Sequence, residues 1–340
     1  MPEIPASLDE IRALFAHLPG PDLEAGAAAA LRERQLTKPA GALGRLEELA
    51  HWLATWQGRH PPRLDHPRTS VFAGNHGVAA RGVSAYPAAV TAQMVQNFIA
   101  GGAAVNQLCK AVDADLRVYE MNLEEPTGDF VNGPAMGEAD CARAVAYGMM
   151  AVEPEIDVLA LGEMGIANTT SAAALCLALF GGGAEDWTGP GTGVVGAQLD
   201  QKREVVYAAV ERHREAAGDP LDLLRRLGGN ELAAIAGAVL AARMGRVPVV
   251  LDGFTCTAAA AVLHAVNPNA LEHCVVAHVS VEPGHRLLLD KIGKRALFDL
   301  GMRLGEGSGA TLAIAILKAA VACHNGMATF ADAGVSGPAE

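Results

Sequence analysis

The chain has 340 residues, of which 51% are apolar, so it can bury one large core or two smaller ones and is not disordered. Its 38 acidic and 26 basic side chains give a net charge of −12, which argues against nucleic-acid binding as the main task but leaves room for a small phosphate site. No apolar run approaches the roughly 20 residues that a membrane span needs.

The six cysteines are scattered, form no Cys-x-x-Cys pair and mostly lie in apolar runs. This pattern is typical of buried free thiols in a reducing compartment, and it argues against a zinc site. The residues after Met1 show neither the basic nor the apolar segment of a secretory signal. We therefore expect a cytoplasmic protein.

The N-terminal residues 8–60 are predicted to be helical, because apolar side chains recur at three- and four-residue spacing from Leu43 to Leu53. The segment 36–41 interrupts this pattern, and the prolines at 61 and 62 end it. We expect a small helical domain over residues 1–62, which part of the C-terminus could join, and an α/β domain over residues 63–340.

From residue 68 onward, short apolar runs alternate with helical patterns. Strands are predicted at 69–73, 116–121, 157–161, 247–251 and 274–279. Helices are predicted at 88–112, 169–180, 198–217, 230–244, 254–266, 284–303 and 309–323. Strands that alternate with helices and are almost continuously apolar predict a mostly parallel, doubly wound, Rossmann-like sheet covered on both faces.

Polar or glycine-rich turns follow all five predicted strands. They are Asn75-His76-Gly77, Asn122, Gly162-Glu163-Met164-Gly165, Asp252-Gly253 and Ser280-Val281-Glu282. Ligands of open parallel sheets bind beyond the carboxyl ends of the strands, so the turns predict one convergent site. The alternative is that such turns are polar merely because they cap helices.

Two glycine-rich segments carry further candidate chemistry. Residues 188–193 (TGPGTG) precede the helix of Lys202 and could cradle a phosphate, or they could be a plain flexible turn. In residues 304–310 (LGEGSGA), glycines expose Glu306 between two apolar helices, and apolar surroundings would raise its pKa towards that of a general base. Alternatively, Ser308 caps the last helix and Glu306 is solvated.

Other familiar constellations are missing from the sequence. The histidines show no metal-ligand spacing, so we expect no metal site. No Gly-x-Ser-x-Gly elbow supports a serine hydrolase.

Taken together, several segments resemble the nicotinate-nucleotide–dimethylbenzimidazole phosphoribosyltransferases, which activate the lower base of cobalamin. The resemblance covers about 270 residues in the order of the family, and its most specific parts are 163–170 and 303–309. The matching segments are 38–47 (KPAGALGRLE), 75–78 (NHGV), 82–87 (GVSAYP), 90–93 (VTAQ), 162–170 (GEMGIANTT), 189–193 (GPGTG), 251–254 (LDGF) and 303–309 (RLGEGSG).

The resemblance implies transfer of phosphoribose from nicotinate mononucleotide to a benzimidazole nitrogen, with inversion at the anomeric carbon. It implies Glu306 as general base and Glu163 as a second catalytic residue near the ribose. The substrate-binding residues that it implies are Tyr86, Gln93 and Met94 at the base, Gly165 and Asn168 on the Glu163 loop, Gly189, Gly191 and Lys202 at the phosphate, Ser280 towards the nicotinate, and Asp252. It also implies a homodimer with sites close to the interface, no metal or other cofactor, and no nucleic-acid or membrane partner.

Two positions depart from the family. Several members have Asp where this chain has Asn75, and at least one has Ser where it has Tyr86, so the preferred base stays open among dimethylbenzimidazole, other benzimidazoles, adenine and phenolics. Two other functions compete with the transferase: a non-catalytic nucleotide- or benzimidazole-binding module on the same fold, and a nicotinamide-dependent oxidoreductase. The lack of Gly-x-Gly-x-x-Gly after the first strand counts against the oxidoreductase.

Overall fold

A computed structural model describes residues 5–337 and contains a six-stranded, fully parallel sheet with the strand order β2-β1-β3-β4-β5-β6. The strands are β1 Pro67–Ala73, β2 Asp115–Glu120, β3 Val158–Met164, β4 Val249–Leu251, β5 Cys274–His278 and β6 Ala296–Phe298. The prediction of a doubly wound α/β fold is thereby confirmed. The strand order reverses between β1 and β3, which in such sheets opens a crevice for ligands.

Fifteen helices are found among the described residues. They are α1 Leu8–Leu14, α2 Leu23–Glu33, α3 Arg45–Gln57, α4 Ala89–Ala100, α5 Ala104–Val112, α6 Glu138–Met149, α7 Asn168–Phe180, α8 Ala184–Trp187, α9 Ala197–Arg212, α10 Pro220–Leu227, α11 Asn230–Gly245, α12 Phe254–Val266, α13 Gly284–Lys291, α14 Ser308–Gly326 and α15 Phe330–Ala333. Short 3₁₀ turns lie at Phe15–His17, Gly77–Arg81 and Arg214–Ala216.

Side chains of the central strands alternate between two apolar layers. In β3, Leu159 and Leu161 pack into the large core with α6, α7, α11 and α12. Val158 and Ala160 face the opposite core, which is built with α3 and α14. Burial on both faces explains why these strands are continuously apolar.

Three helix predictions need correction. The predicted helix 284–303 is wrong beyond Lys291, because Gly293 takes a positive φ of 64° and the chain then forms β6 at the sheet edge. The predicted helix 88–112 is two helices, separated at Gly101, whose φ is 80°. The helix predicted over 198–217 ends at Arg212 and is followed by a 3₁₀ turn. Helices α6 and α10 were not predicted.

The N-terminal helices pack against the main body. Leu8 and Ile11 of α1 share the large core with α6, whereas α3 packs on α14. Leu36 forms an isolated bridge with Thr329, which brings the C-terminal region beside α2. The division at residue 62 stays a prediction. Residues 1–4 of the first predicted domain and residues 338–340 of the second lie outside the described residues.

Within residues 5–337, α14 alone is long and apolar enough to cross a membrane by length and composition. A core helix meets the same criteria, and Ala310, Ile314 and Leu317 of α14 are buried against the sheet.

Candidate active site

A cavity of about 670 Å³ opens at the carboxyl ends of β3, β4 and β5. The turns that follow these strands form its floor, and the segment 303–306 forms one wall. Tyr86, Val90 and Met94 bound another side. Convergence is thus confirmed for three of the five predicted turns.

The other two turns do not reach this cavity. Asn122 opens onto a separate cavity of about 530 Å³ beside β2, the outer strand. His76 is buried beneath the β3–α7 turn, where it contacts Glu231. The prediction of a single site for all five turns is therefore wrong for the turns after β1 and β2.

Glu306 lies in a loop, residues 303–309, which we call the glutamate loop. Gly305, Glu306 and Gly307 take positive φ values of 81°, 62° and 74° in succession. Such a conformation in a non-glycine residue costs about 1–3 kcal/mol and needs support from its surroundings. The Glu306 N–H donates to the Glu163 carbonyl at 3.1 Å, so the loop is tied to β3.

Close backbone approach explains two glycines at this site. A Cβ atom on Gly162 would lie 2.3 Å from the Gly307 nitrogen, and one on Gly305 would lie 2.5 Å from Glu163 Oε1. The first contact is with backbone, so it cannot be accommodated without moving the glutamate loop away from β3, whereas the second is with the end of the Glu163 side chain, which would have to turn away from Gly305.

Asp252 lies behind the cavity wall and supports the glutamate loop. Its Oδ2 accepts from the Gly307 N–H at 3.2 Å and its Oδ1 from the Ala310 N–H at 2.8 Å, so it caps the first turn of α14. His278 Nε2 lies 3.5 Å from the same carboxylate. Burial opposes the charge of His278, but Asp252 outweighs burial and raises the pKa of the imidazole. Asp252 is 1% exposed and does not line the cavity, which places it as a support for the base.

Glu306 has the properties of a general base. Its side chain lines the cavity, is 5% exposed overall, and receives no hydrogen bond from any residue in 5–337. Burial, together with the nearby Asp252 charge, raises its pKa to about 7. The alternative of a solvated Glu306 beside a capping Ser308 is thus wrong, since Ser308 Oγ donates to the Gly305 carbonyl instead.

Glu163 faces the same cavity from the end of β3. Asn168 Nδ2 donates to its Oε2 and fixes the carboxyl group. Burial raises the pKa of Glu163 well above its ordinary value, and the charges of Asp252, Glu231 and Glu306 act in the same direction. Gly165, between Glu163 and Asn168, also lines the cavity.

The segment 188–193, which we call the glycine loop, lies across from the glutamate loop. Gly191 lines the cavity, but its N–H already donates to Glu282 Oε1 at 2.8 Å. Gly189 is buried behind it and accepts from Lys202 Nζ at 3.0 Å through its carbonyl oxygen.

Lys202 is 1% exposed and lies behind the wall, where its Nζ also donates to Thr169 Oγ1 at 2.8 Å. Burial lowers its pKa to about 8. Unlike Lys202, Arg303 lines the cavity, and it is the only arginine or lysine among the lining residues that the structure describes. Its Nη1 donates to the Gly191 carbonyl at 3.3 Å. Sequence reasoning did not assign Arg303 a role, although it lies three residues before Glu306 in a matching segment.

The remaining predicted residues divide in the same way. Ser280 lines the cavity, and its N–H donates to His285 Nδ1 at 2.8 Å. Burial lowers the pKa of His285 to about 3, so this imidazole is neutral. Tyr86, which is 55% exposed, and Met94 border the cavity, whereas Gln93 is exposed and points away from it, because Val90 and Met94 define the inner face of α4.

No group of three or more His, Cys, Asp or Glu residues in the described part of the chain could hold a metal ion. The six cysteines are free, and five of them are buried.

Comparison with known proteins agrees with this geometry. A sequence profile described as phosphoribosyltransferase matches residues 18–335. Nicotinate-nucleotide–dimethylbenzimidazole phosphoribosyltransferases from Brucella anthropi and Sinorhizobium medicae are 57% and 58% identical, over 97% and 96% of this chain and 97% of each relative. A crystal structure of the enzyme so named from Thermus thermophilus superposes with a TM-score of 0.86 and 42% identity, covering 93% of this chain and 100% of that one. The chain therefore belongs to the nicotinate-nucleotide–dimethylbenzimidazole phosphoribosyltransferase family.

Proposed function

We propose that this cavity transfers phosphoribose from nicotinate mononucleotide to 5,6-dimethylbenzimidazole or a related base, with Glu306 as the general base. Membership of the family supports a transferase over a non-catalytic binding module or an oxidoreductase. The observation that carries the assignment of Glu306 is its buried, unbonded carboxylate with a pKa of about 7.

The chemistry requires one proton to be removed. Nicotinate leaves a nucleotide in which its ring nitrogen is cationic, so its departure needs little acid assistance. The attacking benzimidazole must lose its N–H proton as the new C–N bond forms, and Glu306 accepts that proton. Such a proton transfer contributes roughly 10²- to 10⁴-fold to the rate.

Glu163 faces the ribose in this proposal. Its carboxylate, oriented by Asn168, stabilises the positive charge that develops on the sugar as nicotinate departs. Holding the two rings on opposite faces of the ribose supplies much of the remaining acceleration.

The glycine-loop side of the cavity would hold the phosphate. Arg303 is the cation placed to contact it directly. Lys202 acts from behind, since its Nζ holds Thr169 and Gly189 in the wall. Ser280 faces the nicotinate from the β5 side.

The incoming base would occupy the side bounded by Tyr86, Val90 and Met94. This wall is largely apolar and suits a flat aromatic ring. The bulky phenol of Tyr86 narrows the range of bases without identifying the physiological one. A homodimer, a cytoplasmic location and a reaction without cofactor complete the proposal.

The test is product analysis by liquid chromatography after the protein is mixed with nicotinate mononucleotide and a panel of bases. We expect nicotinate and an α-ribazole phosphate in equal amounts. Glu306→Gln should lower kcat by about 10²- to 10⁴-fold while nucleotide binding survives.

Glu24→Gln is a matched control, because Glu24 is exposed on α2. It should keep full activity. Binding of both substrates by the wild type without nicotinate release would contradict the transferase, and a fully active Glu306→Gln would remove Glu306 as the base.

A further inference from the structure

A buried pair, His76 and Glu231, lies directly behind the wall of the cavity. His76 Nε2 and Glu231 Oε1 are 2.5 Å apart, and both side chains are fully inaccessible. His76 follows β1, and Glu231 is the second residue of α11. The proposed reaction uses neither residue.

Three chain segments leave room for this pair. A Cβ atom on Gly74 would lie 2.5 Å from Glu231 Oε2, and one on Gly229 would lie 2.2 Å from His76 Cε1. A Cβ on Gly165 would lie 2.9 Å from Glu231 Oε1 and 3.3 Å from His76 Nε2. None of these glycines takes a positive φ, so space around the pair, and not backbone conformation, requires them.

Gly165 connects the pair to the reaction. One side of this residue packs on the bond between His76 and Glu231, and it also lines the cavity between Glu163 and Asn168. A change in the pair therefore moves the turn that carries Glu163.

The pair also influences Glu163 through charge. The groups that face Glu163 come from five elements: Asp252 after β4, Glu306 before α14, Glu231 on α11, Asn168 on α7 and the neutral thiol of Cys256 on α12. His278, which lines the cavity, lies beside Asp252, the buried His76 contacts Glu231, and Arg303 shares the cavity. Three carboxylates thus surround a fourth, and each histidine contacts one of the three.

We propose that His76 and Glu231 are positioning residues for Glu163: His76 holds the Glu231 carboxylate in place, and Glu231 supports the Gly165 turn and brings a second carboxylate near Glu163. Each catalytic glutamate then has a buried carboxylate with an imidazole partner beside it. Asp252 with His278 supports Glu306, and Glu231 with His76 supports Glu163. When Glu163 is ionised, its negative charge attracts a cationic ring that enters the cavity.

The test, which rests on the proposed transferase activity, is the pH dependence of kcat/KM for nicotinate mononucleotide in Glu231→Gln. The substitution removes a negative charge near Glu163, so Glu163 ionises at lower pH. We expect the acidic limb to move down by roughly 0.5–1 pH unit. The displaced turn should also lower kcat on the plateau by roughly 10- to 100-fold.

Glu272→Gln is the matched control, because Glu272 pairs with Arg243 at the other end of α11. Its acidic limb should coincide with that of the wild type. A Glu231→Gln enzyme with reduced kcat but an unmoved limb would show a purely structural pair and would overturn the proposal.

If Glu231→Gln is too slow to assay, calorimetric titration with nicotinate mononucleotide in two buffers of different ionisation enthalpy gives the same answer. We expect the wild type at neutral pH to release protons on binding as Glu163 ionises, and Glu231→Gln to release fewer. Equal release by the two proteins would contradict the proposal. Absence of nicotinate release from the wild type would instead contradict the transferase itself.

Discussion

The two glycine-rich loops of the site are built for different purposes. In the glutamate loop, glycines allow close contact: Gly305 meets Glu163, Gly307 meets β3, and Asp252 binds two backbone N–H groups. In the glycine loop, Gly193 is exposed and a Cβ on it would meet nothing within 4 Å. The glutamate loop is therefore held closely against β3, whereas the glycine loop is open at Gly193 but packed at Gly189 and Gly191, where an added Cβ would lie 2.3 Å from Glu282 and 2.6 Å from Thr169.

The strongest test of this contrast is a pair of glycine substitutions. Gly162→Ala forces the Gly307 backbone away from β3 and should lower kcat by about 100-fold or more, because the base is misplaced. Gly193→Ala, with strain at φ 125° but no neighbour to displace, should change kcat only a few-fold. Steady-state nicotinate release measures both, and equal losses would show that the two loops are equally constrained.

The pH dependence of stability provides a second test of the glutamate loop. Glu306 has a folded-state pKa of about 7, above its ordinary 4.5, so the stability that its proton provides is complete below pH 4.5 and is lost as the pH rises through 7. Glu306→Gln removes this loss and should stabilise the protein at pH 8 by at most about 3 kcal/mol.

At pH 5 the same substitution should have little effect. Urea unfolding at the two pH values measures the difference. An increase in the free energy of unfolding that is equal at both pH values would show that burial does not raise the pKa of Glu306.

The two cations that donate to carbonyls of the glycine loop, Arg303 and Lys202, should differ in what they control. Arg303→Ala should raise the KM for nicotinate mononucleotide by about 10-fold, because Arg303 faces the cavity and a charge-assisted hydrogen bond contributes about 1.5–3 kcal/mol.

Lys202→Met keeps the length of the buried chain but leaves Thr169 Oγ1 and the Gly189 carbonyl without their donor. It should reduce thermal stability as well as nucleotide affinity. An Arg303→Ala enzyme with unchanged KM would assign the phosphate to Lys202 alone.

The smallest expected effect concerns the base. Thr192 of the glycine loop holds the segment before Tyr86, since its Oγ1 contacts Ser84 Oγ at 2.8 Å and the Ala85 N–H at 3.0 Å. Tyr86→Ser should enlarge the base side and shift the ratio of kcat/KM between dimethylbenzimidazole and adenine by several-fold. An identical ratio would mean that the phenol, which is 55% exposed, points away from the bound base.

Periodicity was sufficient for five of the six strands, including β2 at one edge of the sheet, and insufficient for β6 at the other edge. The strands β1, β3, β4 and β5 are continuous apolar runs next to glycine or polar turns, so sequence alone located them. The three residues of β6 continue a helical pattern, and Gly293, with its positive φ, ends that helix before them. A glycine is found both at helix ends and inside helices, so periodicity alone did not locate this switch.

The site residues likewise differ in whether local sequence was enough to predict their positions. Glu306 and Glu163 were predictable because glycines flank both. The burial of Lys202 and the outward position of Gln93 were not, since each depends on how a helix is rotated about its axis. Arg303 and Glu231 were missed because their partners, Gly191 and His76, lie 112 and 155 residues away in the chain.

Helix α14 has a consequence for the whole molecule. It begins two residues after Glu306 and extends for 19 residues, about 28 Å, to Gly326. Near its far end, His324 binds Glu33 of α2 through Nδ1 at 2.6 Å. The Glu306 loop and helix α2 are thus attached to the two ends of a single helix. Substrates that immobilise the glutamate loop should accordingly slow proteolytic cleavage between α2 and α3, far from any atom they touch.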